Sequence, residues 1–390
     1  IKEIVSLLSG NTSEDSSTSG QSSHRLSFFL HFRSRYYPKP GQLFISTYYF
    51  GFCLMFLLVV ELITGLLLML YYVPTPADAY GSILRIISEV PFGNLLRNLH
   101  RLSGELIIIF SVLHLVRIYL TGAYKGPRRM TWVTGAFMLI TMLGLAFTGY
   151  LLPWDQLAYW AVTIGTSMAE AIPIIGPVVN LLLRGGIGIG ADGLMRFYVL
   201  HIAILPFISV LIGGIHYYRI SRLHGVKTTD AKKISSTAAN KGEKQTDRVR
   251  FLPQVFLQEI FMICLLLLLL IGGTYFFYQA PLEIHADPSS TPWSAEAPWY
   301  FLWLQGLLKL GNKTLMGVFV PFIVLMLVVF FPFYANKFPF SMLRGKAVAL
   351  GILIITSAAI MTLGYMGTSQ YGLNLPNQVR IVNQYLPSDG

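Results

Sequence analysis

Four histidines lie inside strongly apolar stretches: His100 and His114, 14 residues apart, and His201 and His216, 15 residues apart. On a helix turning about 100° per residue, 14 steps return to about −40° and 15 steps to about +60°. Each pair therefore falls near one face of its helix, with about 21–22 Å between its two levels. Ionisable groups within a membrane are costly and mark functional sites. A lone buried histidine would be read as hydrogen-bonded to a neighbouring helix, but two pairs at nearly one interval ask for more. If the two helices run in the same direction, His100 meets His201 at one level and His114 meets His216 at the other. An imidazole on each side of a flat metal macrocycle is haem ligation. Zinc would want four ligands in a tetrahedron at a single level, which this spacing cannot supply.

Glycines repeat the ruler. Gly51 and Gly65 are 14 apart, and so are Gly135 and Gly149. Glycine is poor in helices but permits the close approach of a large flat ligand; ordinary small-residue packing between helices is the plainer alternative. Arg97 and Arg101 flank His100, and Arg117 follows His114 by three. Arginine pairs a carboxylate through two parallel hydrogen bonds, as a haem propionate would require.

These residues need long membrane helices to hold them. Of 390 residues, 54% are hydrophobic and 12% charged, about half the charged fraction of a soluble domain. That excludes a soluble enzyme, a disordered scaffold and a disulfide-rich secreted domain. A span needs about 20 mostly apolar residues, and seven stretches qualify: about 44–72, 93–120, 130–152, 194–218, 252–279, 314–334 and 346–366. The stretch 157–183 is amphipathic but holds Pro173 and Pro177, so it is expected to form short surface helices. Cys53 and Cys264 both sit in apolar runs and can build neither a disulfide framework nor a zinc site. The expected fold class is all-α and integral to the membrane, with a four-helix haem-binding bundle followed by a three-helix half.

The expected organisation is a disordered or amphipathic tail over 1–34, a four-helix half over 35–222, a polar linker over 223–250, a three-helix half over 251–367 and a tail over 368–390. The chain opens on Ile1 rather than Met, so its natural start is expected upstream. The net charge of +11 follows the positive-inside rule better than it fits nucleic-acid binding. Lys125, Arg128 and Arg129, then Lys227, Lys232, Lys233, Lys241, Lys244, Arg248 and Arg250, then Lys337, Arg344 and Lys346 fall on one side if seven spans alternate. Asp78, Glu89, Asp155, Glu170, Glu283, Asp287 and Glu296 fall on the other. The basic side is expected to be cytoplasmic, with the N-terminus there and the C-terminus outside.

From about residue 35 to 366 the sequence resembles cytochrome b, the core subunit of the Rieske–cytochrome b quinol oxidoreductases. The resemblance is carried by Arg97–Ser103 (RNLHRLS), Arg117–Gly122 (RIYLTG), Thr131–Gly135 (TWVTG), Gly149–Gln156 (GYLLPWDQ), Tyr159–Val162 (YWAV), Ala171–Gly176 (AIPIIG) and Arg196–His201 (RFYVLH). The first half is closest to the cytochrome b6 type, whose second histidine interval is 15 where the mitochondrial type has 14. The second half resembles the three-helix partner subunit, fused here through the linker. The resemblance implies two haem b groups, the outer held by His100 and His201 and the inner by His114 and His216. It implies Arg97 and Arg101 at the outer propionates and Arg117 at the inner. Tyr150, Pro153, Trp154 and the 157–183 helices would line a quinol-oxidation site near the outer surface. A Rieske iron–sulfur protein, a c-type cytochrome, membrane lipids and a dimeric complex are the implied partners, in a bacterial cytoplasmic membrane or an energy-transducing organelle membrane.

Two departures stand out. The family's Pro-Glu-Trp-Tyr run is matched by Ala297-Pro298-Trp299-Tyr300, so the Glu that takes a quinol proton is missing. Quinol oxidation still releases two protons, and Glu296, Asp287 and His285 are the nearby groups, with Glu296 favoured. The position matching the anchor of the photosynthetic complex's covalent haem is near Tyr49, which forms no thioether, so no covalent haem is expected. Glu61 and Glu105 also lie within spans, and a hydrogen-bonded structural role is expected for each. A haem-bearing anchor for a different quinone-linked dehydrogenase or reductase is the alternative function; a non-redox transporter is a second.

Overall fold

The computed structural model describes residues 36–38, 49–222, 248–250, 255–292, 295–335 and 346–371. His24, His31 and His224, the tail over 1–34, most of the basic linker, Lys337, Arg344 and the C-terminal tail beyond residue 371 lie outside the described residues.

Among the described residues, seven helical stretches are long and apolar enough to cross a membrane: Phe50–Met69, Gly93–Leu120, Gly126–Leu151, Ala191–Arg222, Phe256–Phe276, Leu315–Tyr334 and Val348–Gly367. They match the seven predicted spans. In element terms these are α1 (Phe50–Met69), α3 (Gly93–Leu120), α4 (Arg129–Leu151), α7 (Ala191–Val199) running on into α8 (Leu205–Arg222), α9 (Phe256–Phe276), α11 (Val320–Tyr334) and α12 (Lys346–Gly367). Between α7 and α8 the backbone makes a π-helical turn, Leu200–Ile204, which contains His201. A second π turn, Leu315–Phe319, opens the sixth span.

Shorter helices fill the connections: α2 (Ala79–Ser88), α5 (Gln156–Glu170), α6 (Gly176–Arg184) and α10 (Leu302–Leu308). The 157–183 stretch is thus two helices broken around Pro173, where Ile174 takes a left-handed φ of 69°. Asp155 caps α5, its Oδ1 accepting the Ala158 N–H at 2.9 Å, which ties down one of the donors a helix start leaves free. One small feature was not expected from the sequence: Tyr36–Pro38 (β1) and Arg248–Arg250 (β2) pair antiparallel, with Tyr36 opposite Arg250.

The chain divides into two compact units. One comprises residues 1–62, 99–139 and 208–278; the other comprises 63–98, 140–207 and 279–390. Within the first, Phe50 on α1 meets Phe110 on α3 edge to face, with centroids 5.6 Å apart. Gly273 on α9 lets the Leu102 side chain of α3 approach its backbone. Within the second, Leu151, Trp154, Tyr159, Val162, Leu194 and Phe197 form a buried cluster. In the same unit α10 and α12 cross so closely that a Cβ at Gly306 or Gly367 would run into the partner's carbonyl oxygens.

Candidate haem and quinol sites

Four imidazoles, four settings. His100 sits on α3 in the first unit, and its Nδ1 lies 3.0 Å from Oε2 of Glu61 on α1. The other oxygen of Glu61 is 2.5 Å from the buried Ser103 hydroxyl. In the same unit, His216 Nδ1 is 2.8 Å from the Thr134 hydroxyl. That hydroxyl donates its only proton to the Thr131 carbonyl at 2.9 Å. In the second unit, His201 Nδ1 is 3.1 Å from the Leu145 carbonyl and 3.3 Å from the Thr148 hydroxyl, which itself donates to Gly144. His114 Nδ1, back in the first unit, is buried and has no hydrogen-bond partner.

These partners decide a tautomer. A carbonyl only accepts, and a hydroxyl whose proton is already placed accepts from its next neighbour. A carboxylate accepts as well. His201, facing a carbonyl, therefore carries the proton on Nδ1, and His100 and His216 face groups that can accept a proton there, which leaves the Nε2 lone pair for a metal. Among the described residues, no cluster of three or more His, Cys, Asp or Glu side chains could hold a metal ion by itself.

The glycines are cut to the imidazoles. A Cβ at Gly51 would lie 3.3 Å from His114 Cε1; at Gly135, 3.1 Å from His216 Cε1; and at Gly149, 2.5 Å from His201 Cε1. Each glycine thus leaves room for a ring edge from another helix. Thr134 and Thr148 each precede one of these glycines, a Thr-Gly repeat at the same 14-residue interval. That repeat was the available signal for the hydroxyl partners, and the reading by spacing alone passed it over.

The arginines are already partly engaged. Arg97 donates to the carbonyls of Ala280 and Pro281, at 2.8 and 2.5 Å, and is buried. Its neighbour Asn98 accepts the Ala280 N–H at 3.0 Å. Arg101 Nε pairs with Glu105 at 3.0 Å, and the Tyr278 hydroxyl also donates to that carboxylate. Arg117 is buried in the last turn of α3.

The quinol segments come together inside the second unit. Trp154, buried with a left-handed φ of 52°, turns the chain out of α4. Its carbonyl accepts the Ala286 N–H, and Gln156 N–H donates to the Ile284 carbonyl. The Gln156 side chain closes the seam: Oε1 accepts from Asp287 N at 2.6 Å, and Nε2 donates to the Ser290 carbonyl at 2.5 Å. Phe147 on α4 meets Phe301 edge to face at 6.1 Å, just beyond the 297–300 run. In that run Trp299 is half exposed and Tyr300 buried, their rings T-shaped at 5.2 Å. Gln305 holds the run by accepting from Ala297 N and donating to the Ala295 carbonyl. Tyr150 and Pro153, at the end of α4, are partly buried.

The three proton-accepting candidates differ. Glu296 takes both the Ser369 N–H and hydroxyl on Oε1, at 2.6 and 2.5 Å. Asp287 accepts from the Ser289 N–H and hydroxyl, which hold its carboxyl below the usual range. His285 packs edge to face on Tyr80 at 5.4 Å. Asp155 is buried beneath them; loss of solvent raises its carboxyl, against the hydrogen bonds from Ala158 and Glu283 that lower it.

Comparison with known proteins places the chain in a family. Residues 35–224 match the family model described as cytochrome b/b6/petB, and residues 285–380 the one described as cytochrome b (C-terminal)/b6/petD. Cytochrome b6 of Heliobacterium modesticaldum is 43% identical over 190 residues, 49% of this chain and 89% of that protein. Cytochrome b6 of Chlamydomonas reinhardtii is 41% identical over 189 residues, 48% of this chain and 86% of that protein. A chain of a solved structure described as hyperthermophilic respiratory Complex III shares the fold, with a TM-score of 0.75, 24% identity and 89% of each chain covered. The two family matches in chain order and the cytochrome b6 relatives, covered over most of their length, have one reading: the chain belongs to the cytochrome b/b6 family, which works with b-type haem and quinone, and is a quinol oxidoreductase subunit of a multi-subunit membrane complex.

Proposed function

We propose that this chain is a di-haem subunit that oxidises quinol near the outer surface and moves charge across the membrane. His100 and His201 would hold an outer haem b, and His114 and His216 an inner one. The supporting observation is the tautomer: three of the four Nδ1 atoms face acceptors, so Nε2 is presented as the ligand. Bound haem and quinone supply the one-electron transfers and the two-electron, two-proton donor and acceptor.

The residues do the rest. Gly51, Gly65, Gly135 and Gly149 leave space for ligand and ring, and Arg97, Arg101 and Arg117 place positive charge by the propionates. Tyr150, Pro153, Trp154, Pro298, Trp299 and Tyr300 line the quinol pocket, held to shape by the Gln156 seam. Glu296 takes a quinol proton on Oε2, the oxygen not engaged by Ser369. With Cys53 and Cys264 as its only cysteines, the chain holds no iron–sulfur cluster of its own. A Rieske protein therefore receives one electron, and a c-type cytochrome follows it, in a dimeric complex. The basic loops face the cytoplasm, and the four-helix half over 35–222 and the three-helix half over 251–367 act as one subunit.

Haem content tests this reading. The purified complex should show two b-type haems per chain in reduced-minus-oxidised spectra. His100→Leu or His201→Leu should remove one, and His114→Leu or His216→Leu the other. Full haem content in these variants would refute the ligation.

A further inference from the structure

Glu61 is an acidic side chain set directly against a proposed ligand imidazole. It stands on α1 and meets two residues of α3, His100 through Oε2 at 3.0 Å and Ser103 through Oε1 at 2.5 Å. Gly104 lies beside it, where a Cβ would meet Oε1 at an ordinary contact distance of 3.6 Å. The partners found at the other imidazoles are neutral: a carbonyl and a hydroxyl at His201 and a hydroxyl at His216, while His114 Nδ1 has no hydrogen-bond partner among the described residues.

The protons around Glu61 can be counted. Ser103 Oγ has one proton and three acceptors in reach, Glu61 Oε1 at 2.5 Å, the Leu99 carbonyl at 2.6 Å and the His100 carbonyl at 3.4 Å. If it donates to Glu61, the carboxylate has both oxygens accepting. If it donates to a carbonyl, it accepts from a protonated Oε1. In both arrangements Oε2 can accept the His100 Nδ1–H. The contact to His100 therefore does not depend on which way the hydroxyl points.

Resting on the ligand reading above, we infer that Glu61 is a positioning residue for the outer haem. It fixes the tautomer and ring orientation of His100 and, through that hydrogen bond, sets the reduction equilibrium at that haem. An imidazole that donates from its far nitrogen is a stronger electron donor through the near one. A stronger donor favours the oxidised iron, and hydrogen bonding around the ligands is one of the levers by which a protein adjusts a haem potential. Neither the haem nor the electron it carries need touch Glu61.

The test uses the complete complex, with the inner haem as internal control. Glu61→Leu should raise the midpoint potential of the outer haem by about a tenfold shift in its reduction equilibrium, about 59 mV for one electron. Its low-spin EPR signal should move as well, while both readouts of the inner haem stay in place. Glu61→Gln keeps an acceptor oxygen and should return both readouts most of the way to wild type. If the Leu variant does not assemble, Glu61→Met, of similar length and adaptable shape, replaces it under the same criteria. An outer-haem potential and EPR signal unchanged in the apolar variant overturn the inference. So does an equal shift in the apolar and Gln variants, which would mean that Glu61 acts by bulk. His100→Leu separates the two levels. If it removes a haem while the Glu61 variants change nothing, only the inference falls; if it leaves both haems, the ligation falls and takes the inference with it.

Discussion

Replacing Gly51, Gly135 and Gly149 by alanine one at a time should produce a graded loss of haem. Each substitution gains about 1 kcal/mol of helix propensity. Against that stands the contact the new methyl makes. Carbon atoms rest at about 3.5–4.0 Å, so 3.3 Å at Gly51 and 3.1 Å at Gly135 ask the imidazole to yield by a few tenths of an ångström. At Gly149 the distance is 2.5 Å, and His201 would have to move by about 1 Å. It cannot do so freely, because its Nδ1 is held by Leu145 and Thr148. Overpacking of this kind costs about 1–3 kcal/mol. The net at Gly149 is a loss of up to about 2 kcal/mol, or about 30-fold in the haem-binding equilibrium. At Gly51 the two terms roughly cancel. The assay is haem retained per chain when purified complex is challenged with excess apo-globin. The Gly149→Ala protein should lose the His201 haem first, Gly135→Ala should be intermediate, and Gly51→Ala should stay close to wild type. If Gly51→Ala loses haem as readily as Gly149→Ala, the glycines do not act by admitting the imidazoles.

Other substitutions probe the quinol pocket. Gln156→Leu removes the side chain that joins the 154–156 and 284–290 segments and leaves peptide groups unpaired, at about 1–3 kcal/mol each. Quinol oxidation should weaken with a raised KM while haem content holds, and an unchanged KM would argue that the seam does not shape the pocket. Glu296→Gln should lower the rate of quinol oxidation by about 100-fold or more, whereas Asp287→Asn should leave it near wild type; the reverse ranking would move the proton to Asp287. Asp155 has a folded-state pKa above its ordinary 3.8, so its stabilisation is complete below that value and is lost as pH rises through the folded one. Asp155→Asn keeps an oxygen for the Ala158 N–H and escapes that loss. Its melting temperature should therefore gain on wild type as pH rises above 3.8, and a constant difference would refute the assignment.

Much of the architecture was readable from periodicity, because a membrane span must satisfy its own backbone and announces itself by length. The seven spans and the break at Pro173 follow from that constraint. The histidine and glycine intervals were readable for a related reason: residues a whole number of turns apart share a face. What escaped the sequence depends on contacts between helices. Glu61 was expected to be hydrogen-bonded, and it is, but nothing in its spacing pointed to His100, 39 positions away on another helix. The engagement of Arg97 by the 280–281 carbonyls was hidden for the same reason. So was the tie between Glu296 and Ser369, which joins segments 73 residues apart.

The π turn at Leu200–Ile204 changes how the histidine ruler should be counted. A π turn closes from residue i to i+5 instead of i+4, and so takes in one residue more than an α turn. His201 lies inside it. One of the 15 steps to His216 is then absorbed without turning the helix further, and 14 effective steps return to about −40°, not +60°. That is the angle His100 and His114 make on their own helix. An unbroken α-helix with a 14-residue interval and a π-bulged one with 15 thus present their imidazoles in the same phase. The two interval lengths are one angular spacing written in two kinds of helical turn.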